Sequence, residues 1–408
     1  MVPALSRRRL LAATGTLLGG LAAGRALTTP GSSGNDPGDG WPMAQHDPAG
    51  RSYAPAASPP TDGVSVRWKH RLTTDLGFDY GVAPVVADGR VYAAGRRLLA
   101  LDAATGAVDF RADRDLDAAP AVAPARAYRS PTLAVSDASS VTGLHANGGL
   151  DVLGSQRGLT RWEVPVGSQE TVFVGGTPPS VPTVAASGTV FGSTGGRLVA
   201  VDASSGRVRW QVNVDAQRPA VHRGTVYVAA YPFGVRGYDV ETGDQQFEAQ
   251  VSGATAISVT AGPERLVVAT DEGLAGLSYD GDTRWRFAPG DLSRDHGAVA
   301  LAEGVAYAGF RGEDDNPLVA VDAATGEERW RSPAAPEASP RFAPPAVADG
   351  VVYLPLEDEG LAAVDARDGH VRWRFGGNDE RRPWSPVALA GETLYAVGNG
   401  HVYALEEA

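Results

Sequence analysis

Cysteine is absent from all 408 residues. That excludes a disulfide framework, a thiolate metal site and a lipid-modified cysteine together. Lysine and isoleucine occur once each, as Lys69 and Ile257, a bias toward arginine that codon composition explains as well as chemistry does. Net positive charge is missing too: 48 acidic against 36 basic residues leave −12 at pH 7, and without a basic face nucleic acid is excluded as a partner. The seven histidines (46, 70, 145, 222, 296, 370, 401) have neither i,i+4 nor His-x-His spacing, which argues against a transition-metal site. No Gly-x-Ser-x-Gly elbow, phosphate-binding loop or paired-carboxylate arrangement stands out. Glu313-Asp314-Asp315-Asn316 lacks the alternation of a Ca2+ loop and reads as a solvated acidic loop.

An apolar run long enough to span a membrane is also lacking. Ser6-Arg7-Arg8-Arg9-Leu10-Leu11 opens the stretch LLAATGTLLGGLAAG, too short and Gly-rich for a span but of the form of a twin-arginine export signal. The expected organisation is a signal over 1–26, a Gly/Ser/Pro/Asp-rich disordered linker over 27–40, and one domain over 41–408, with no transmembrane segment after processing. The acidic balance and this start resemble those of secreted proteins of salt-loving archaea, and they place the protein outside the cytoplasm.

Repetition is what the chain has in abundance. AVDASSGRVRW, AVDAATGEERW and AVDARDGHVRW end at Trp210, Trp330 and Trp373, and LALDAATGAVDF ends at Phe110. Weaker copies end at Trp162, Phe247 and Trp285, and Trp68 stands alone near the start with no phrase before it. The mean spacing of about 44 residues fits one four-stranded propeller blade. Within each phrase Asp202, Asp322 or Asp365 can accept backbone N–H groups two residues on, and Gly206, Gly326 or Gly369 supplies φ > 0 where the turn closes. The aromatic four residues later then lies on the outermost strand, where a flat ring fills the seam between blades.

Upstream of each phrase a second pattern recurs: APVVADGRVYAAG (83–95), VPTVAASGTVFGS (181–193), PPAVADGVVYLPL (344–356) and SPVALAGETLYAVG (385–398). A Pro at a strand start precedes alternating apolar residues, and Asp88-Gly89, Ser187-Gly188 and Asp349-Gly350 form two-residue hairpin turns. Each blade therefore reads as four antiparallel strands. The chain ends in TLYAVG and HVYALEEA one strand short of a blade, and VSVRWKHRL (64–72) supplies the missing one. The expected fold is all-β, an eight-bladed propeller closed by an N-terminal outer strand. Its least regular blade spans about 113–166, where Gly154 stands for the turn Asp and Ala123–Arg129 is an extra stretch.

These residues resemble the pyrroloquinoline-quinone-like (PQQ-like) propeller repeat family, whose tryptophan-docking motif the Ala-x-Asp-x-x-x-Gly-x-x-x-Trp phrase matches. GWPMAQHDPAGRSYAP (40–55) is similar to the Trp-led segment before the first strand of quinoprotein dehydrogenases. The resemblance implies that each docking ring stacks on the Ala of its own phrase, pairing Trp210 with Ala200, Trp330 with Ala320 and Trp373 with Ala363. The family holds enzymes and non-enzymes, so fold alone does not settle function. The vicinal Cys pair of many quinone-dependent alcohol dehydrogenases is absent, Tyr80-Gly81-Val82-Ala83 stands where a cofactor-contacting Glu is expected, and no set of Ca2+ ligands can be assigned. The other branch resembled is the non-catalytic scaffold of the bacterial outer-membrane barrel-assembly machine.

Residues just before each inner strand face the central funnel. The candidates there are Tyr80, Arg129, Arg218, His296, Arg341 and Trp384, which either plug the channel, pairing with Asp79 and Asp295, or bind an anionic or planar ligand. The leading expectation is a non-catalytic scaffold that binds protein partners and needs no cofactor. The alternatives are a minimal quinoprotein holding PQQ with Ca2+, and a small-anion or glycan binding module.

Overall fold

A computed structural model describes residues 39–72, 82–95, 97–112, 116, 118–137, 139–152, 155–157, 159–166, 181–194, 196–230, 234–251, 253–290, 298–310, 317–332, 344–356, 360–376 and 384–408. The expected signal and most of the expected linker lie outside these residues. Among them there are no helices, and hence none able to cross a membrane. The described strands form eight four-stranded antiparallel sheets, the blades of a propeller, and one extra two-stranded hairpin. Blades 1 to 7 span 85–112, 121–165, 184–213, 220–249, 256–287, 300–331 and 346–375. Blade 8 joins 388–406 to Ser65–Arg71, with Trp68 opposite Ala404 and His70 opposite Val402. The ring closes as the sequence pattern predicts.

The strand nearest the axis is three residues long in seven blades, as in Val85–Ala87 and Ala346–Ala348, and is built of Ala, Val, Leu and one His. Small side chains suit a place where eight sheets converge. The two-residue turns that follow in blades 1, 3, 4, 6 and 7 have φ > 0 at both central residues, for example Asp88 (50°) and Gly89 (73°). Arg223 and Glu303, each before a Gly, fill the same position without the Asn or Asp that would mark it in sequence. The apolar core lies in the seams between neighbouring blades; one cluster joins Tyr353, Trp373, Leu394 and Leu101 of blades 7, 8 and 1.

Every docking aromatic sits beside a β-bulge. Trp210 lies opposite Ala200, Trp330 opposite Ala320 and Trp373 opposite Ala363, and the register shifts one residue toward the turn. The bulge turns the residue before the ring back toward the turn carboxylate: Arg209, Arg329 and Arg372 reach Asp202, Asp322 and Asp365 at 3.1, 2.7 and 2.7 Å. Each ring then serves the next blade. Trp162 donates its indole N–H to Ala203 O (3.0 Å) and covers Gly206, where an added Cβ would fall 2.6 Å from the ring. Trp68, Trp210, Trp285 and Trp330 cover Gly106, Gly243, Gly326 and Gly369 likewise, and Phe110 covers Gly148. Phe247, opposite Gly237, lies within 3.8 Å of the Cβ position of Gly281.

Blade 2 departs from the sequence reading. The turn Asp is replaced by His145, not Gly154, because the connection to the outer strand is lengthened by the hairpin of Leu150–Val152 and Ser155–Arg157. The stretch 124–131 is the turn between the first and second strands, Ala121–Ala123 and Thr132–Ser136.

Candidate functional site at the ring axis

The axis is occupied by the chain's own segment 39–58. Trp41 and Val86 of blade 1 exchange two backbone hydrogen bonds, and Pro42 O accepts from Val122 of blade 2. Pro48 O, Ala49 O, Arg51 O and Ser52 O then accept from Val221, Ala261, Leu301 and Val347 of blades 4 to 7. Asp39 and Ser58 both bond Gly391 of blade 8, so the segment makes one full circuit. Met43 joins the apolar cluster that runs through blades 2, 3 and 4. This strap satisfies inner-strand edges that water or a ligand would otherwise have to meet. Its side chains are correspondingly buried, Trp41 at 1% exposure.

The turn that keeps the strap on course is built on Asp47. Its carboxylate takes the Arg51 backbone N–H (3.2 Å) and Arg51 Nε (2.6 Å), while Gly50 N bonds Asp47 O. His46 and Ser52 adopt φ of 67° and 51°, and Gly50 takes 76°. A Cβ at Gly50 would stand 2.7 Å from Arg218 Nη1. Arg218 is one of the six funnel candidates, and it does reach the axis. It comes up from the linker before blade 4 and donates to Asp47 O (3.2 Å) and Pro219 O (3.0 Å). Its Nε is buried with no partner among the described residues. Burial pushes its guanidinium down to about 10, against a small opposing pull from Asp47, so it remains charged at neutral pH.

The other candidates do not join it. Arg129 is exposed in the 124–131 turn of blade 2, on the opposite face from the inter-blade linkers, because the strand that follows it is the second of its blade. Trp384 is buried off the axis, tilted against Tyr403 (5.0 Å), edge-on to Phe375 (5.8 Å) and covering Gly376 and Gly398 between blades 7 and 8. Tyr80, His296 and Arg341 lie outside the described residues, as do Asp79 and Asp295. Plugging of the axis falls to the strap, which sequence reasoning took for an entry segment; its Pro42, Pro48 and Gly50 were the signal of an irregular path.

On the turn face, His222 stacks on Tyr279 (5.5 Å), whose hydroxyl donates to Gly262 O, and Tyr53 donates to Glu303 (3.0 Å). Burial, with Arg223 and Arg51, lowers His222 below its ordinary range. No group of three or more His, Asp or Glu able to hold a metal ion occurs among the described residues. Nor do those residues fit a quinone: the described guanidinium at the axis is engaged by the strap, and the described Trp candidate stacks elsewhere. Among the described residues the arrangement supports packing and recognition, with no acid–base or nucleophilic pair at the axis.

The blade geometry, the bulged docking turns and the closure define a PQQ-like propeller. The chain belongs to the family described as outer membrane protein assembly factor BamB, which matches residues 60–178, 146–288 and 264–408. It is 28% identical over 357 residues to the serine/threonine-protein kinase AfsK of Streptomyces coelicolor, a match covering 82% of this chain and 38% of the kinase. The chain spans well under half the length of the curated relatives it matches. Among solved structures it is similar to BamB from Moraxella catarrhalis, with a TM-score of 0.59 and 17% identity over 84% of this chain and 98% of that one. It is also similar to quinohemoprotein alcohol dehydrogenase from Comamonas testosteroni, with a TM-score of 0.65 and 13% identity over 90% and 80%. At these identities the two structures share the fold.

Proposed function

We propose that this protein is an exported, non-catalytic propeller that serves as a scaffold for protein partners. The observation that carries this reading is the strap: the centre of the ring is filled by the chain's own backbone, and of the described candidates for a planar anion Arg218 holds the strap, Trp384 packs off the axis and Arg129 lies on the opposite face. The family description, an outer membrane protein assembly factor, supports an extracytoplasmic place and a role through protein contacts. The twin-arginine start at Arg7 and Arg8 is the route this reading assigns. Likeness to a kinase supports no phosphoryl transfer here, because that chemistry uses a strand lysine over the phosphates and the sole lysine, Lys69, is exposed on the closing strand.

The test uses protein recovered from outside its host cell, so that its recovery there checks export. Titration with pyrroloquinoline quinone and Ca2+ by calorimetry is expected to give no saturable heat, and dye-linked oxidation of alcohols or sugars no turnover. Saturable binding with turnover would overturn the scaffold reading in favour of a minimal quinoprotein.

A further inference from the structure

Blade 2 breaks the repeat twice on one face. Where blades 1, 3 and 7 turn in two residues between their first and second strands, blade 2 uses 124–131; where blade 3 passes from third to fourth strand between Asp202 and Val208, blade 2 inserts a hairpin. The longer turn is not loose. Arg161 fastens it, donating Nη2 to Ser130 O (2.9 Å) and Oγ (2.6 Å), Nη1 to Thr132 Oγ1 (2.7 Å) and Nε to His145 Nδ1 (3.1 Å). The turn leans on blade 3, where Ala127 N meets Ser204 Oγ (3.5 Å).

This anchoring holds Tyr128 out in solvent at 46% exposure, with Arg161 4.3 Å above its ring. The exposed large apolar side chains of the described residues are Val66, Tyr128 and Val208, and Val208 lies on blade 3 beside the turn that receives Ala127. Arg126 and Arg129 in the same turn as Tyr128, and Arg207 next to Val208, are exposed with no carboxylate within 4 Å among the described residues. By contrast, Arg209 two residues on is paired with Asp202 and Glu241. In a chain of net charge −12, a pre-set aromatic with exposed arginines in its own turn and in the neighbouring turn of blade 3 is the composition of an interface centre, enriched in Tyr and Arg.

We propose that the turn 124–131 of blade 2, with Arg207 and Val208 of blade 3, docks an acidic segment of a partner protein, Tyr128 serving as the apolar anchor and Arg126, Arg129 and Arg207 as its charge complement. The proposal rests on the scaffold reading only in taking a protein as the partner. A lipid surface fits less well, since insertion needs a broad apolar face and this one offers a single ring and a valine.

The probe is a labelled poly-glutamate peptide with a poly-glutamine control, followed by fluorescence anisotropy on the full exported chain. Binding of the acidic peptide is expected, weakening by about tenfold or more in the variant Arg126→Glu, Arg129→Glu, Arg207→Glu and with added salt, as steered rim charges do. Tyr128→Ala is expected to weaken it as well. All these side chains are exposed, and an unchanged melting temperature checks that the fold is kept. No binding of poly-glutamate, equal binding of poly-glutamine, or indifference to both variants would overturn the proposal. So would binding confined to anionic vesicles, or a self-association in sedimentation that the triple variant abolishes. The quinone titration reads a different place, so either proposal can fail alone.

Discussion

Single side chains decide how each blade answers to pH. Asp322 accepts from Arg329 and from the Thr325 and Ala324 amides, and these bonds outweigh desolvation to hold it at about 2. Its contribution is present above the ordinary carboxylate pKa and is lost as pH falls from about 4 toward 2. His145 fills the corresponding place in blade 2 and behaves differently. Burial, and then the charge of Arg161, lower it, and only its neutral form can accept from Arg161 Nε. Since the unfolded chain binds that proton more readily, the stabilisation is fully present above about 6.5 and is lost as pH falls below that value toward the lowered folded pKa, where the contact itself breaks. His145→Asp is therefore expected to stabilise the protein at mildly acidic pH by about 1 kcal/mol relative to the natural chain, the scale of one charge-assisted bond. Urea midpoints at pH 5.5 and 8 check this; equal differences at both pH values would show that His145 titration is irrelevant.

At the scale of strands and turns, blade 8 has to rebuild a docking turn that the chain does not supply, because its third and fourth strands come from opposite ends of the sequence. Pro60 O takes the place of the turn carbonyl, accepting from Trp373 Nε1 (3.1 Å) and Tyr353 OH (3.0 Å). Glu407 takes the place of the turn Asp, accepting from Thr61 N (2.6 Å) and Asp62 N (3.0 Å) as Asp202 accepts from Ser204 and Ser205. Glu407→Ala is expected to cost about 1–2 kcal/mol, like loss of a capping side chain. Faster hydrogen exchange at Thr61 and Asp62 would report the opening directly, and unchanged exchange would refute the clamp. The docking phrases were legible because a turn needs its Asp and Gly at fixed spacing, and closure was legible because Trp68 lacked a phrase. The split turn was not, since Glu407 acts across hundreds of residues. His145 was hidden by the hairpin that follows it, and Arg129 was misplaced because a lengthened turn and a linker look alike in sequence.

The whole molecule depends on one continuous stretch, 39–72, which circles the axis, completes the split turn and then becomes the outer strand of blade 8. Ten backbone hydrogen bonds tie the strap to the blades among the described residues, each contributing about 1 kcal/mol net. Burying Trp41 and Met43, 1% and 3% exposed, adds about 2–3 kcal/mol apiece. The sum is of the order of the entire stability of a typical domain, about 5–15 kcal/mol, before the cost of ordering the strap is set against it. Removal of 39–58 with the closing strand kept should therefore do more than lower the melting temperature. The inner edges of seven blades would lose their partner, and Val86, Val122, Leu301 and Val347 would be left with free backbone groups beside apolar surface. Loss of cooperative unfolding and aggregation through those edges are expected, read by scanning calorimetry and light scattering. A soluble deletion variant with the full-length transition would mean that the blades hold the ring by themselves, that the strap is an occupant of the axis and not its support, and that the centre is open to a ligand after all.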